Sequence, residues 1–157
     1  MGFFLIRKNR ISTIFDFTMN ALQNRMISIA TILLAAAVAL GAFGAHILGE
    51  KISEADMAIF KTANFYHFIH ALGILILAAF TKKLHSLPLV WSSFSMFLGI
   101  LLFSGSLYFL ALSEWILGER VNVLGLVTPA GGVAFIVGWL IPAFAVRKKL
   151  SNTNKVE

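Results

Sequence analysis

The chain has no cysteine. Disulfides, thiolate metal sites, iron–sulfur clusters and cysteine nucleophiles are therefore excluded, while every redox compartment remains compatible. Charge is scarce too: 13% of the 157 residues are charged and 59% are apolar, where a soluble domain carries about 25% and about 45–50%. Mean hydropathy is +0.86. A single domain of this length is too small to hide so much apolar surface in a water-soluble core, so the excess faces lipid. Also missing are the alternating segments of about ten residues that mark a membrane barrel. Helices remain as the form that satisfies the backbone within lipid.

Four apolar stretches reach the roughly 20 helical residues needed to cross a hydrocarbon core of about 30 Å. They run over Met26–Leu48, Thr62–Phe80, Leu87–Leu112 and Pro129–Val146. The expected fold is an all-α membrane protein, a bundle of four transmembrane helices in a domain over 26–149, with a short tail over 150–157.

The net charge of +6 does not sit on one face of a soluble module, so nucleic-acid binding is not expected. It follows the spans instead. Arg7, Lys8, Arg10 and Arg25 precede the first, Lys82 and Lys83 separate the second from the third, and Arg147, Lys148, Lys149 and Lys155 follow the fourth. The remaining loops hold Lys51, Lys61 and Arg120 among Glu50, Glu54, Asp56, Glu114 and Glu119. This asymmetry predicts cytoplasmic termini, N-in and C-in.

Residues 1–25 are basic and weakly patterned. They read as a poorly ordered extension with a start placed too early, or as an interfacial helix that lays Ile11, Ile14, Phe15 and Phe17 on lipid. The apolar run that follows is longer than the 7–15-residue core of a cleaved signal peptide. Further on, Ser53-Glu54-Ala55-Asp56 resembles a capping box that starts the second helix before its apolar portion. Thr128-Pro129 reads as an N-cap with proline in the first helical position. The apolar Val121–Val127 before it is too short to span, and is expected on the outer surface or as a re-entrant piece.

Helices in lipid associate through close packing and interhelical hydrogen bonds. Small residues at helical spacing mark the expected contact stripes: Ala37, Gly41, Gly44 and Ala45 on the first helix; Ser92, Ser95, Gly99 and Ser106 on the third; Gly131, Gly132, Ala134 and Gly138 on the fourth. On the second helix, Thr62, Ala63, Asn64, Tyr66, His67, His70, Ala71 and Gly73 share one half of the wheel. Lys61, Phe65, Phe68, Ile69 and Leu72 share the other.

The candidate polar core is therefore His46, Tyr66, His70, Ser104, Ser106, Tyr108 and Thr128. It is expected in the outer half of the membrane, with His46 approaching His67 and His70. Ionisable residues at such depth are functional candidates by default. A proton or ion path is one reading, and a neutral imidazole bonded to Ser104, Ser106, Tyr108 or a carbonyl of the next helix is the other. The spans contain no acidic ligand and no His-Glu-x-x-His, so no metal is expected. Ser104-Gly105-Ser106 is not a nucleophile elbow. A rhomboid-like Ser–His pair on separate helices needs only a chance meeting, and no catalytic residue is assigned. Gly131-Gly132 lacks the longer glycine pattern of a nucleotide site, and no cofactor is expected.

Gly41-Ala42-Phe43-Gly44-Ala45-His46, Tyr66 with His70-Ala71-Leu72, and Trp91-Ser92-Ser93 resemble the YgdD-like family. So do Leu102-Phe103-Ser104-Gly105-Ser106-Leu107-Tyr108 with Leu110-Ala111-Leu112-Ser113, and Val127-Thr128-Pro129 with Gly131-Gly132 and Gly138-Trp139. The resemblance covers about 26–149. It implies a small four-helix bacterial inner-membrane protein, with eukaryotic relatives and no established activity. His46, His70, Ser104, Ser106, Tyr108, Thr128 and the paired glycines sit at motif positions, whereas His67 does not. Two functions follow as expectations: a structural or accessory membrane protein, as a homo-oligomer or with a membrane-protein partner, and a minimal transporter or channel built around His70.

Overall fold

A computed structural model describes the backbone of residues 2–84 and 87–153, and side chains over 17–81, 87–145 and at 147. The interfacial face expected from Ile11, Ile14 and Phe15, the basic pair Lys82 and Lys83, and the tail 150–157 lie outside the described side chains. Helix α1 covers Gly2–His46 and α2 covers Glu54–Leu84. The third span, Leu87–Leu117, is divided into α3 (Leu87–Gly99), a π-helical turn (Ile100–Ser104) and α4 (Gly105–Leu117). Helix α5 covers Thr128–Thr153. No strand occurs among the described residues. Four helical spans are long and apolar enough to cross a membrane; the chain is an all-α membrane protein.

The spans are longer than their apolar cores. Thirty-one residues make about 46 Å of helix, more than a hydrocarbon layer of about 30 Å, so the polar ends of α2 stand outside it. The α2 start is capped as its sequence predicts: the Asp56 N–H donates to Ser53 Oγ at 3.1 Å, and the Ser53 hydroxyl donates to the Asp56 carboxylate at 2.7 Å. Helix α4 stops at Gly118, whose φ of 77° is left-handed and whose N–H closes on Glu114 O. That conformation is open to glycine at no steric cost.

Helix α2 and the third span form the middle of the bundle, with α1 and α5 flanking. Between α1 and α2 the packed positions alternate in spacings of three and four. On α1 they are Gln23, Met26, Ala30, Leu33, Ala37, Leu40 and Gly44; their contacts on α2 include Phe60 beside Gly44, Asn64 beside Gly41 and Ala37, and Ala78 beside Gln23. A 3.5-residue repeat is the seam of a left-handed pair. Gln23 Nε2 donates to Ala78 O at 2.8 Å, so packing begins before Met26.

Helices α3 and α5 meet through glycine and serine. A Cβ on Gly131 would strike the backbone of Phe103, one on Gly99 the ring of Phe135, and one on Gly138 the side chain of Met96. Two serines of α3 donate to carbonyls of α5: Ser92 to Gly138 and Ser95 to Ala134. The Ser92 bond has a local cause. Pro142 lies inside α5, and a proline has no N–H for the carbonyl four residues before it. That carbonyl is Gly138 O, and the Ser92 hydroxyl takes the missing donor's place.

The π turn was not visible in the sequence. Gly105 N–H bonds to Ile100 O, five residues back, and the extra residue shifts the helix phase. Before it, Ser92, Ser95 and Gly99 face α5; after it, Tyr108 and Ala111 face α2. Val121–Val127 forms a short 3-10 turn, Asn122–Leu126, with Leu126 and Val123 exposed. It does not re-enter the bundle.

Candidate functional site

The polar residues collect in three places rather than one. The first lies midway along α2, where Asn64 joins three helices. Its Nδ2 donates to Ala37 O of α1 at 2.7 Å and to the Tyr108 hydroxyl of α4 at 3.0 Å. Tyr108 Oη lies 3.5 Å from His67 Nδ1, a long hydrogen bond. The Tyr108 ring packs edge-on against Phe60, centroids 4.9 Å apart. His67 and Ser104 are buried, and His67 Nε2 and Ser104 Oγ are the buried side-chain nitrogen and oxygen atoms without a partner among the described residues.

His70 belongs to a second, mainly aromatic group. Its Nδ1 lies 2.8 Å from Tyr66 O, on its own helix. Its ring stacks on Phe135 of α5, with centroids 3.4 Å apart and planes 12° from parallel. Tyr66 stands at the rim, over a third exposed, with its ring against Phe103. His70 therefore works as a flat packing surface between α2 and α5, with one nitrogen held by a neighbouring turn.

The third place is the loop end. Asp56 is buried and forms a salt bridge with Arg120, tying the first turn of α2 to the connection between α4 and α5. Ser113 Oγ accepts the N–H of Val121 at 3.2 Å. A cleft of about 240 Å³ opens here beside Ser53, Asp56, Ala111 and Glu114. Somewhat deeper, Ser106 and Thr128 share a hydrogen bond of 2.9 Å, and the Thr128 hydroxyl also reaches Leu124 O at 3.4 Å. Helix α5 does begin at Thr128, yet that hydroxyl serves its neighbours rather than capping its own helix.

Several placements differ from the sequence expectation. His67 and His70 are residues 14 and 17 of the 31 in α2, near the middle of that helix. His46 is exposed at the end of α1. With Gly44 against Phe60 and Gly41 against Asn64, His46 is level with residue 58 or so, about 18 Å along α2 from His70 at 1.5 Å per residue. The three imidazoles therefore do not converge. The wheel separated most of the two faces of α2, with Thr62 and Tyr66 exposed against expectation, but it carries no information about the alignment of one helix with another. Ser104 and Tyr108 join the central group; Ser106 and Thr128 pair with each other. Of the packing residues, Gly44, Gly99, Gly131 and Gly138 are buried, and Gly41 and Gly132 are half-buried. Ala45 is exposed and lines, with Gly41, Phe65 and Lys61, a lateral groove of about 320 Å³ between α1 and α2.

Asn64, Gln23 and Arg120 were absent from the candidate site. A signal existed for each. An amide within an apolar span has to find a partner, and a lone arginine in an acidic loop marks an ion pair.

A family model described as "Protein of unknown function (DUF423)" matches residues 40–132. A UPF0382 membrane protein of Staphylococcus epidermidis is 44% identical over 112 residues, covering 71% of this chain and 86% of its own length. The UPF0382 membrane protein YwdK of Bacillus subtilis is 43% identical over 115 residues, 73% of this chain and 89% of its own. The UPF0382 inner membrane protein YgdD of Escherichia coli is 42% identical over 115 residues, 71% and 83% of the two chains. No solved structure matches the chain.

Proposed function

The chain belongs to the DUF423 family of UPF0382 membrane proteins, and from that premise we propose that it is a structural or accessory protein of the bacterial inner membrane. It acts by lateral association, with further copies of itself or with another membrane protein. One observation carries the reading: the polar side chains inside the membrane tie helices to one another. Asn64 holds α1 and α4 to α2, and Ser92 and Ser95 hold α3 to α5. His70 lies flat against Phe135. A bundle fastened in this way is a rigid body, and its outward faces on α1 and α5 are apolar and broad: Ile32, Val38, Val133, Ile136 and Phe144 are each at least 60% exposed.

Cross-linking in intact membranes, followed by mass measurement in lipid nanodiscs, tests the proposal. The expected product is a defined oligomer or a stoichiometric complex. A strictly monomeric, partnerless particle overturns it. Both termini lie in the cytoplasm in this reading, supported by the clustering of Lys and Arg at the two ends and in the middle loop. The cysteine-free chain allows a clean check. Single cysteines placed by Glu50→Cys, Glu119→Cys and Ser151→Cys are expected to react with a membrane-impermeant thiol reagent from outside at 50 and 119 and not at 151.

A further inference from the structure

Two buried polar atoms, His67 Nε2 and Ser104 Oγ, have no partner among the described residues, and they belong to facing helices. The antiparallel register of α2 against the third span can be read from four pairs. Asn64 bonds Tyr108, Phe60 packs on Tyr108, Tyr66 packs on Phe103, and Gly73 faces Met96. Moving one turn along α2 from Asn64 to His67 corresponds to one turn back from Tyr108 to Ser104. Ser104, the last residue of the π turn, therefore lies opposite His67.

The hydrogen-bond chain that reaches His67 has a direction. Asn64 Nδ2 is a donor, so Tyr108 Oη accepts from it. The phenolic proton of Tyr108 then needs an acceptor, and the one within reach is His67 Nδ1. An imidazole that accepts at Nδ1 carries its proton on Nε2. Nε2–H is a donor without an acceptor, and across from it stands a hydroxyl that also lacks a partner. Buried polar groups in this state are met by an internal water, which commonly makes about three hydrogen bonds.

We propose that His67, Ser104 and the π turn form an internal hydration site at the centre of the bundle, for one water molecule. The water accepts from His67 Nε2–H and donates to Ser104 Oγ. The polar chain then runs Asn64, Tyr108, His67, water, Ser104, from the carbonyl of Ala37 on α1 to the π turn. This polarity is the reverse of a serine–histidine nucleophile pair, in which the imidazole must offer a lone pair to the hydroxyl. The geometry therefore assigns solvation rather than catalysis to Ser104 and His67.

Magic-angle-spinning NMR of the ¹⁵N-histidine-labelled protein in lipid bilayers tests this in the wild-type chain, with His67 assigned through backbone correlations. The expected spectrum shows His67 neutral with its proton on Nε2, and magnetisation transferred to that proton from water. Ser104→Ala is expected to reduce the water transfer at least twofold while the Nε2–H form persists. Two results overturn the proposal: a proton on Nδ1, or an Nε2–H whose contacts are to Ser104 protons alone with no transfer from water. Both are read on the wild type, so the test stands even if Ser104→Ala fails to fold.

Discussion

Between α1 and α2 the ties are long amides. Gln23 and Asn64 each reach across to a carbonyl of the other helix, and the seam keeps a 3.5-residue repeat from Gln23 to Gly44. Between α3 and α5 the ties are serine hydroxyls, and the helices touch through Gly99, Gly131 and Gly138. A long side chain spans a wider separation and tolerates adjustment at its flexible stem. A serine reaches a carbonyl only when the two backbones are already close. The first pair is therefore fastened by reach and the second by proximity, and the two should fail in different ways.

The largest difference is expected from one extra methyl group. At Gly131 a Cβ would meet the backbone of Phe103, which cannot turn aside, whereas at Gly41 the nearest atom is the amide oxygen of Asn64 at 3.3 Å. Gly131→Ala should cost about 2–3 kcal/mol, in the range of overpacking a close-fitting interior. Gly41→Ala should cost less than about 1 kcal/mol, because a side chain can rotate. Reversible unfolding in mixed micelles reads both. Equal losses would break the comparison.

A smaller effect is expected from Asn64→Leu, which removes the two interhelical hydrogen bonds to Ala37 O and Tyr108 Oη. Interhelical hydrogen bonds in membranes average about 0.6 and reach about 1.7 kcal/mol, so a loss of about 1–2 kcal/mol is expected. The loss should fall on the α1–α2 pair. Cysteine pairs across α1–α2 should cross-link more slowly in this variant, with pairs across α3–α5 unchanged.

The smallest effect sharpens the account of the second pair. Ser92→Ala is expected to cost about 1 kcal/mol in the natural background, where it leaves Gly138 O without a donor. In a Pro142→Ala background, the restored N–H of residue 142 bonds that carbonyl, and Ser92→Ala should then cost much less. A coupling of about 0.5–1 kcal/mol in this double-mutant cycle is the expected reading. Additive losses would show that the Ser92 hydroxyl and the proline are unrelated.

What the sequence revealed follows from where the information resides. A span is a property of about twenty consecutive residues, so all four were legible. The Ser53–Asp56 cap was legible because both partners lie within one turn. The inward face of α2 was legible in part: Ala63, His67, His70, Ala71 and Gly73 are buried and Phe65, Phe68, Ile69 and Leu72 are exposed, but Thr62 and Tyr66, expected on the inward half, are exposed too. Depth was not legible, because the alignment of one helix with another depends on distant residues such as Ala37 with Asn64. For this reason His46 was grouped with His70 although about three turns of helix separate them. The π turn and the Ser92–Gly138–Pro142 arrangement depend on phase between helices in the same way.

The Asp56–Arg120 salt bridge has a consequence for how the protein is made. Its two residues are separated by two complete crossings, those of α2 and of the third span, so they share one side of the bilayer when both helices cross and are separated when just one does. If either helix alone failed to insert, acid and base would end on opposite sides with the bilayer between them. When both insert, the pair cannot close during synthesis until the chain has crossed the membrane for the third time. The contact therefore acts as a parity check on topology: a nascent chain that has formed it has not inserted just one of α2 and the third span before α5 is added.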